Sequence, residues 1–173
     1  MSGTDTIDIL LLGAGGREHA MLRKVAESPR AGKIWAAPGN GGILAEAELA
    51  NIDQNDPAAV AGFATEHGIG LVVIGPEAPL VSGVADAVRA AGVACFGPSG
   101  EAAQMEGSKV FAKEVMERAG VPTARYKSFT EAAPAEEYVR ELNGPCVVKA
   151  DGLAAGKGVI VAQTVEEALE GVR

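Results

Sequence analysis

Four short runs dominated by apolar residues, each stopped by glycine or proline, constrain the fold of this chain more than any other feature. They are Ile7–Leu12, Lys33–Ala37, Leu71–Ile74 and Val93–Phe96. Each is too short for a buried helix and lacks the polar alternation of a half-exposed strand, so each reads as a buried strand of a parallel sheet. Helical spacing fills the intervals. Arg17–Glu27 is stopped by Ser28-Pro29, and Ser82–Ala91 by Gly92. Asp56 supplies a capping side chain, Pro57 the first turn and Gly68 the stop of a helix between them. Strands alternating with helices over short connections predict an α/β fold with a doubly wound, Rossmann-like parallel sheet. Ligands of such sheets sit beyond the carboxyl ends of the strands, and all four runs open there into glycine- or proline-rich loops.

After Gly97 the pattern changes. Ser108–Ala119 reads as a helix closed by Gly120, Val121-Pro122-Thr123 as a linker, and Thr130–Leu142 as a further helix. Cys146–Lys149 and Val159–Ala162 read as two strands joined by a glycine-rich loop, and Thr164-Val165-Glu166-Glu167 as the capped start of one more helix. The expected division is residues 1–122 and residues 123–173. Two strands and two helices bury little core, so the second part is expected to be a truncated α+β subdomain.

Composition narrows the class. A net charge of −8 leaves no positive excess for neutralising phosphates along a polynucleotide, so no nucleic-acid partner is expected. No apolar run approaches membrane-spanning length and no secretory leader precedes Ile7, which points to a cytoplasmic protein without a membrane partner. Cys95 and Cys146 lack metal-ligand spacing and read as reduced core thiols.

The loops carry the chemistry. Gly13-Ala14-Gly15-Gly16-Arg17-Glu18-His19 follows the first strand and opens the first helix, where small residues and free amides suit a phosphate. A dinucleotide fingerprint would need a third glycine at position 18, which is glutamate, and an acidic residue after the second strand, which ends Ala37-Pro38-Gly39-Asn40. Arg17 suits an anionic sugar phosphate better, and His19 reads as a packing residue. Glu77, within Gly75-Pro76-Glu77-Ala78-Pro79, lies on the same edge as an acceptor for ribose hydroxyls or an amine. Lys149-Ala150-Asp151-Gly152 through Gly156-Lys157-Gly158 is similar in composition to a P-loop. Its spacing is one residue short, glycine stands where the magnesium-binding hydroxyl would be, and it joins strand to strand where a P-loop opens a helix. A glycine hairpin folding over phosphates, with Lys149 as counter-ion, is the arrangement of an ATP-grasp nucleotide site.

Taken in order, Gly15–Ala20, Ala37–Asn40, Gly75–Leu80, Glu106–Lys109 and Lys149–Val159 resemble the phosphoribosylamine–glycine ligase (glycinamide ribonucleotide synthetase) family over nearly the whole chain. Ala14 departs from it, since the family often has asparagine there. The resemblance implies a pre-ATP-grasp domain binding phosphoribosylamine through Gly15, Gly16, Arg17, Glu18, Pro38, Gly39, Asn40, Gly75, Pro76 and Glu77. It implies ATP contacts from Lys109, Lys149, Asp151, Gly152, Gly156, Lys157 and Gly158 in a partial ATP-grasp subdomain. The implied reaction ligates glycine to 5-phosphoribosylamine through a glycyl phosphate, with ATP as co-substrate and Mg²⁺ or Mn²⁺ as the metal. The resemblance places the metal ligands, the adenine contacts and most of the glycine site beyond Arg173. It therefore implies no catalytic residue within these residues and an N-terminal fragment without activity of its own. A free-standing sugar-phosphate-binding module and another ATP-grasp carbon–nitrogen ligase are the alternatives.

Overall fold

The computed structural model describes residues 6–154 and 158–173. The chain divides into two compact units, Met1–Gln104 and Met105–Arg173.

The first unit runs β1 (Ile7–Gly13), α1 (Gly16–Ala26), β2 (Ala31–Pro38), a 3-10 turn (Ile43–Ala45), β3 (Glu48–Leu49), α2 (Pro57–Glu66), β4 (Ile69–Ile74), α3 (Glu77–Val81), α4 (Val84–Ala90), β5 (Ala94–Phe96) and α5 (Gly100–Gly107), which crosses the division. The strands form one parallel sheet in the order β3-β2-β1-β4-β5. From the central β1 the chain winds outward through β2 and β3, then returns to the other side of β1 for β4 and β5. The direction reverses between β1 and β4, which makes the crevice beyond their carboxyl ends the switch point of the sheet.

Both faces of β1 are covered, which explains its unbroken apolar run. Leu10 and Leu12 pack with Val60 and Ala64 of α2 and Val84 and Val88 of α4, while Ile9 and Leu11 pack with Leu22 of α1 and with Ile43. Asp56 caps α2 as its sequence predicts, accepting from the amides of Ala58 and Ala59. Beside α2 lies an aromatic cluster. Lys33 Nζ stands 3.9 Å from the centroid of Trp35, whose ring meets Phe63 and His67 edge-on at 5.3 and 5.1 Å.

The structure departs from the sequence reading in several places, α5 and the 3-10 turn among them, which that reading left unassigned. β3 adds a fifth strand only two residues long, too short for any periodicity to show. Gly75–Pro79 reads as a loop because of its two prolines, yet Glu77 opens α3, where Pro76 is the N-cap and Pro79 falls in the first turn, needing no amide donor there. The junction expected at 122 falls near 104, because the segment after α5 makes its contacts with later residues. In that segment Lys113 Nζ donates to the Ala124 carbonyl at 2.9 Å, and the Tyr126 hydroxyl donates to Glu117 at 3.4 Å.

The second unit comprises α6 (Lys109–Arg118), α7 (Ala132–Leu142), β6 (Cys146–Lys149), β7 (Val159–Ala162) and α8 (Val165–Val172). The two strands pair antiparallel from Cys146↔Ala162 to Lys149↔Val159. Val139, Ala162 and Ala168 are its buried apolar centre, with Val148, Val165 and Leu169 packed around them. Val147 and Val161 point away from that centre and are 49% and 64% exposed. Thr164 caps α8 by accepting from the Glu167 amide, and the Glu167 carboxylate accepts from Gln163, one residue before the position a capping box uses. Among the described residues no helix is long and apolar enough to cross a membrane.

The difference in core predicts a difference in local stability. Amides of Leu10 and Val73 should exchange with solvent deuterium at least roughly 100-fold more slowly than those of Val148 and Val161. Equal protection would show that the second unit is as strongly cored as the first.

Candidate functional site

Two loops meet at the switch point. The turn after β1 passes Gly13 and Ala14 and begins α1 with Gly15 as N-cap, in extended backbone at φ −85° and ψ 175°. The Gly15 amide donates to Glu18 Oε2 at 2.8 Å, so Glu18 makes half of a capping box. Across the crevice β4 is followed by Gly75, whose amide donates to the Leu12 carbonyl at 3.2 Å, and Pro76 leads into α3. Arg17 bridges the two loops. Its Nε donates to Glu18 Oε1 at 2.7 Å and its Nη1 to Glu77 Oε1 at 3.3 Å. The bonds to Glu18 and then Glu77 push its pKa up further, so the guanidinium is a permanent cation. Its side chain is 56% exposed, leaving donors that face solvent.

The third loop, after β2, is tied to the first. Pro38 pairs with Gly13, the Gly39 amide donates to the Gly13 carbonyl at 3.2 Å, and Asn40 Nδ2 donates to the Ala14 carbonyl at 2.7 Å. Asn40 Oδ1 accepts from the amides of Gly42 and Ile43. His19 packs against Gly42, as a packing histidine should, with its Nε2 buried and 3.6 Å from Glu46.

The first unit thus gathers all ten sequence-named sugar-phosphate residues onto three adjoining loops and the helix and strand ends that flank them, but they divide by what their polar atoms do. Arg17, Glu77 and the turn at Gly16 present groups to solvent, and a Cβ on Gly16 would meet nothing within 4 Å. Asn40 and Glu18 have their side chains engaged in bracing the loops.

In the second unit the Asp151 carboxylate lies on the N-terminus of α6. It accepts from the Ser108 hydroxyl at 2.9 Å, from the Lys109 amide at 2.6 Å and from the Val110 amide at 3.3 Å. Burial alone would raise its pKa. The Ser108 hydroxyl and the amides of Val110 and Lys109 outweigh that and hold it below the usual carboxylate range. Lys109 Nζ donates to the Gly152 carbonyl at 2.9 Å, and the Ala150 amide donates to the Gly158 carbonyl at 2.8 Å. Lys149 is exposed on β6, opposite Val159. Sequence reasoning named Lys109, Asp151, Gly152 and Gly158 together, and the structure joins the first three into one clasp at the base of the hairpin. Gly156 and Lys157 lie outside the described residues. Ser108 belongs to the clasp as well. Its place as α6 N-cap was readable in the sequence, but its bond to a residue far along the chain was not. Among the described residues no group of three or more His, Cys, Asp or Glu side chains converges.

A doubly wound domain with its open edge at the switch point, followed by a β-hairpin clasped to a helix, defines the class: the leading part of an ATP-grasp protein. The model of the phosphoribosylglycinamide synthetase N domain matches residues 7–106, and that of the phosphoribosylglycinamide synthetase ATP-grasp (A) domain matches residues 107–173. The chain belongs to the phosphoribosylglycinamide synthetase family. It is 56% identical over 164 residues to the phosphoribosylamine–glycine ligase of Agrobacterium fabrum and 55% over 169 residues to that of Haemophilus influenzae, covering 95% and 96% of this chain. It spans about 39% of the length of these relatives. The crystal structure of phosphoribosylamine–glycine ligase from Thermotoga maritima superposes with a TM-score of 0.71 at 30% identity, over 95% of this chain and 38% of that one. N5-carboxyaminoimidazole ribonucleotide synthetase from Thermus thermophilus has the same fold, with a TM-score of 0.68 at 23% identity over 95% of this chain and 43% of that one.

Proposed function

We propose that this chain supplies the sugar-phosphate site and part of the ATP site of a cytoplasmic phosphoribosylamine–glycine ligase of purine biosynthesis. In the proposed reaction ATP phosphorylates the glycine carboxylate. The amine of phosphoribosylamine attacks the resulting acyl phosphate, forming the amide and releasing phosphate. Mg²⁺ or Mn²⁺ would be held by residues outside this chain.

One observation carries the sugar-phosphate assignment. Arg17 spans the switch point between a bare glycine turn and Glu77, setting a fixed cation beside an acceptor on one open edge. A phosphate monoester bearing an amine and ribose hydroxyls needs both. The cation and free backbone amides suit the phosphate, and a carboxylate suits the amine or a hydroxyl. For ATP, support comes from the match of residues 107–173 to an ATP-grasp model and from the exposure of Lys149 beside the glycine hairpin. An acyl phosphate hydrolyses readily, which gives a hairpin that covers the nucleotide a chemical purpose.

Replacing Arg17 tests the reading. In the full-length enzyme Arg17→Ala should weaken phosphoribosylamine binding by about 1.5–3 kcal/mol, the range for a hydrogen bond to a charged group. The KM for ATP should stay within about twofold, since the two sites use residues of different units. Parallel losses for both substrates would sink the assignment of two separate pockets.

A further inference from the structure

Among the described residues Glu18 is a buried charged side chain, 4% exposed, and capping the Gly15 amide occupies only one of its two carboxylate oxygens. A methionine or leucine would fill the same space without losing hydration. Its surroundings are unusual in a second way, because Gly13, Gly15 and Gly75 all abut it. A Cβ on Gly15 would stand 2.7 Å from Glu18 Oε2, and one on Gly13 or Gly75 would overlap the Glu18 side chain outright. Gly15 lies in extended backbone open to any residue, and Gly75 has no positive φ, so neither is glycine for conformational reasons. They leave room for Glu18. Of the glycines in this motif, Gly16 is the one whose missing side chain leaves open space.

The socket draws on the ends of β1 and β4, and both oxygens of the carboxylate inside it are used. Oε2 accepts the N-cap amide of Gly15 and Oε1 accepts Arg17 Nε. Arg17 then reaches Glu77 with Nη1. Burial on its own would raise the Glu18 pKa, but the bonds from Arg17 and the Gly15 amide outweigh it and keep the group ionised.

We propose that Glu18 is a positioning residue. Seated in a socket of three glycines at the switch point, it fixes the Arg17 guanidinium and the Gly15 turn in the arrangement that receives the phosphate of an anionic sugar. This rests on the reading of that edge as the sugar-phosphate site.

Charge alone predicts the opposite of positioning, which makes the test decisive. Removing a carboxylate beside a bound phosphate should tighten binding if Glu18 acts only through its field. If it positions Arg17, binding should weaken. Ribose 5-phosphate serves as the probe, titrated calorimetrically into the full-length protein and into Arg17→Ala, Glu18→Gln and Glu18→Met. An amide can accept only one of the two bonds the carboxylate accepts, and methionine accepts neither while filling the socket. Both Glu18 variants are expected to bind ribose 5-phosphate about tenfold more weakly, with ATP affinity unchanged and with Glu18→Met melting no more than a few degrees below the parent. Parent-like or tighter binding by both, with Arg17→Ala impaired, would overturn positioning while leaving the sugar-phosphate site in place. Parent-like binding by Arg17→Ala as well would overturn both. The socket has its own check in thermal unfolding. Gly75→Ala should lower Tm in the parent but not in the Glu18→Ala background, where the new methyl enters vacated space. An equal loss in both backgrounds would show that Gly75 does not make room for Glu18, and the socket would be wrong.

Discussion

A polypeptide limited to these 173 residues is expected to show no ligase activity and no saturable Mg-ATP binding below the millimolar range. Micromolar affinity corresponds to roughly 8 kcal/mol. The described second unit offers an exposed Lys149, an α6 N-terminus already covered by the Asp151 carboxylate, and a Lys109 whose ammonium already donates to the Gly152 carbonyl. Exposed ion pairs contribute about 0–1 kcal/mol each, so two or three such lysines fall well short. These residues span about 39% of the length of the curated relatives. The proposed ATP site would need more surface than one two-stranded sheet provides. Titration calorimetry decides the matter, and a micromolar dissociation constant would mean that this unit binds ATP by itself.

Leu10→Ala should lower the stability of the first unit by about 3–4 kcal/mol. Leu10 is fully buried on the central strand, between the β2 and β4 neighbours Trp35 and Val72 and beneath α2 and α4. A site enclosed by sheet on two sides and helix on a third collapses poorly around a cavity, which keeps the loss clear of the lower end of the range for leucine truncations. Against a total of about 5–15 kcal/mol, that loss is large. Urea unfolding followed by circular dichroism should show the midpoint fall with little change in slope. A loss below about 1 kcal/mol would mean that the helices close over the gap.

Periodicity made the sheet legible because β1 and β4 are buried on both faces, and no other short element gives an unbroken apolar run. It could not reveal β3, whose two residues are exposed, or α3, whose prolines argue for a loop until one sees that both stand where a helix needs no amide donor. The loops read as a candidate site through residue types alone: glycines, Arg17, Glu77 and two lysines near a hairpin. The division of labour within them was not legible. Glu18, Asn40 and Asp151 have the composition of ligand-binding residues, yet Glu18 and Asn40 accept from N–H groups within three residues of themselves, and Asp151 accepts from the start of α6, which only the folded chain brings near. Local sequence shows which groups could meet a ligand, whereas tertiary geometry determines which of them the protein has already satisfied.

The aromatic cluster beside α2 has a consequence for measurement. Trp35 is the single tryptophan of the chain, and both tyrosines, Tyr126 and Tyr138, belong to the second unit. Light absorbed near 295 nm is therefore emitted from the first unit alone. The indole sits beneath the Lys33 ammonium and edge-on to Phe63 and His67, so release of this packing on unfolding should shift its emission to the red. Tyrosine emission, excited at shorter wavelength and corrected for the indole, follows the hairpin unit. One sample carries two intrinsic dyes, one per unit, and melting curves read in the two channels would separate if the units unfold independently.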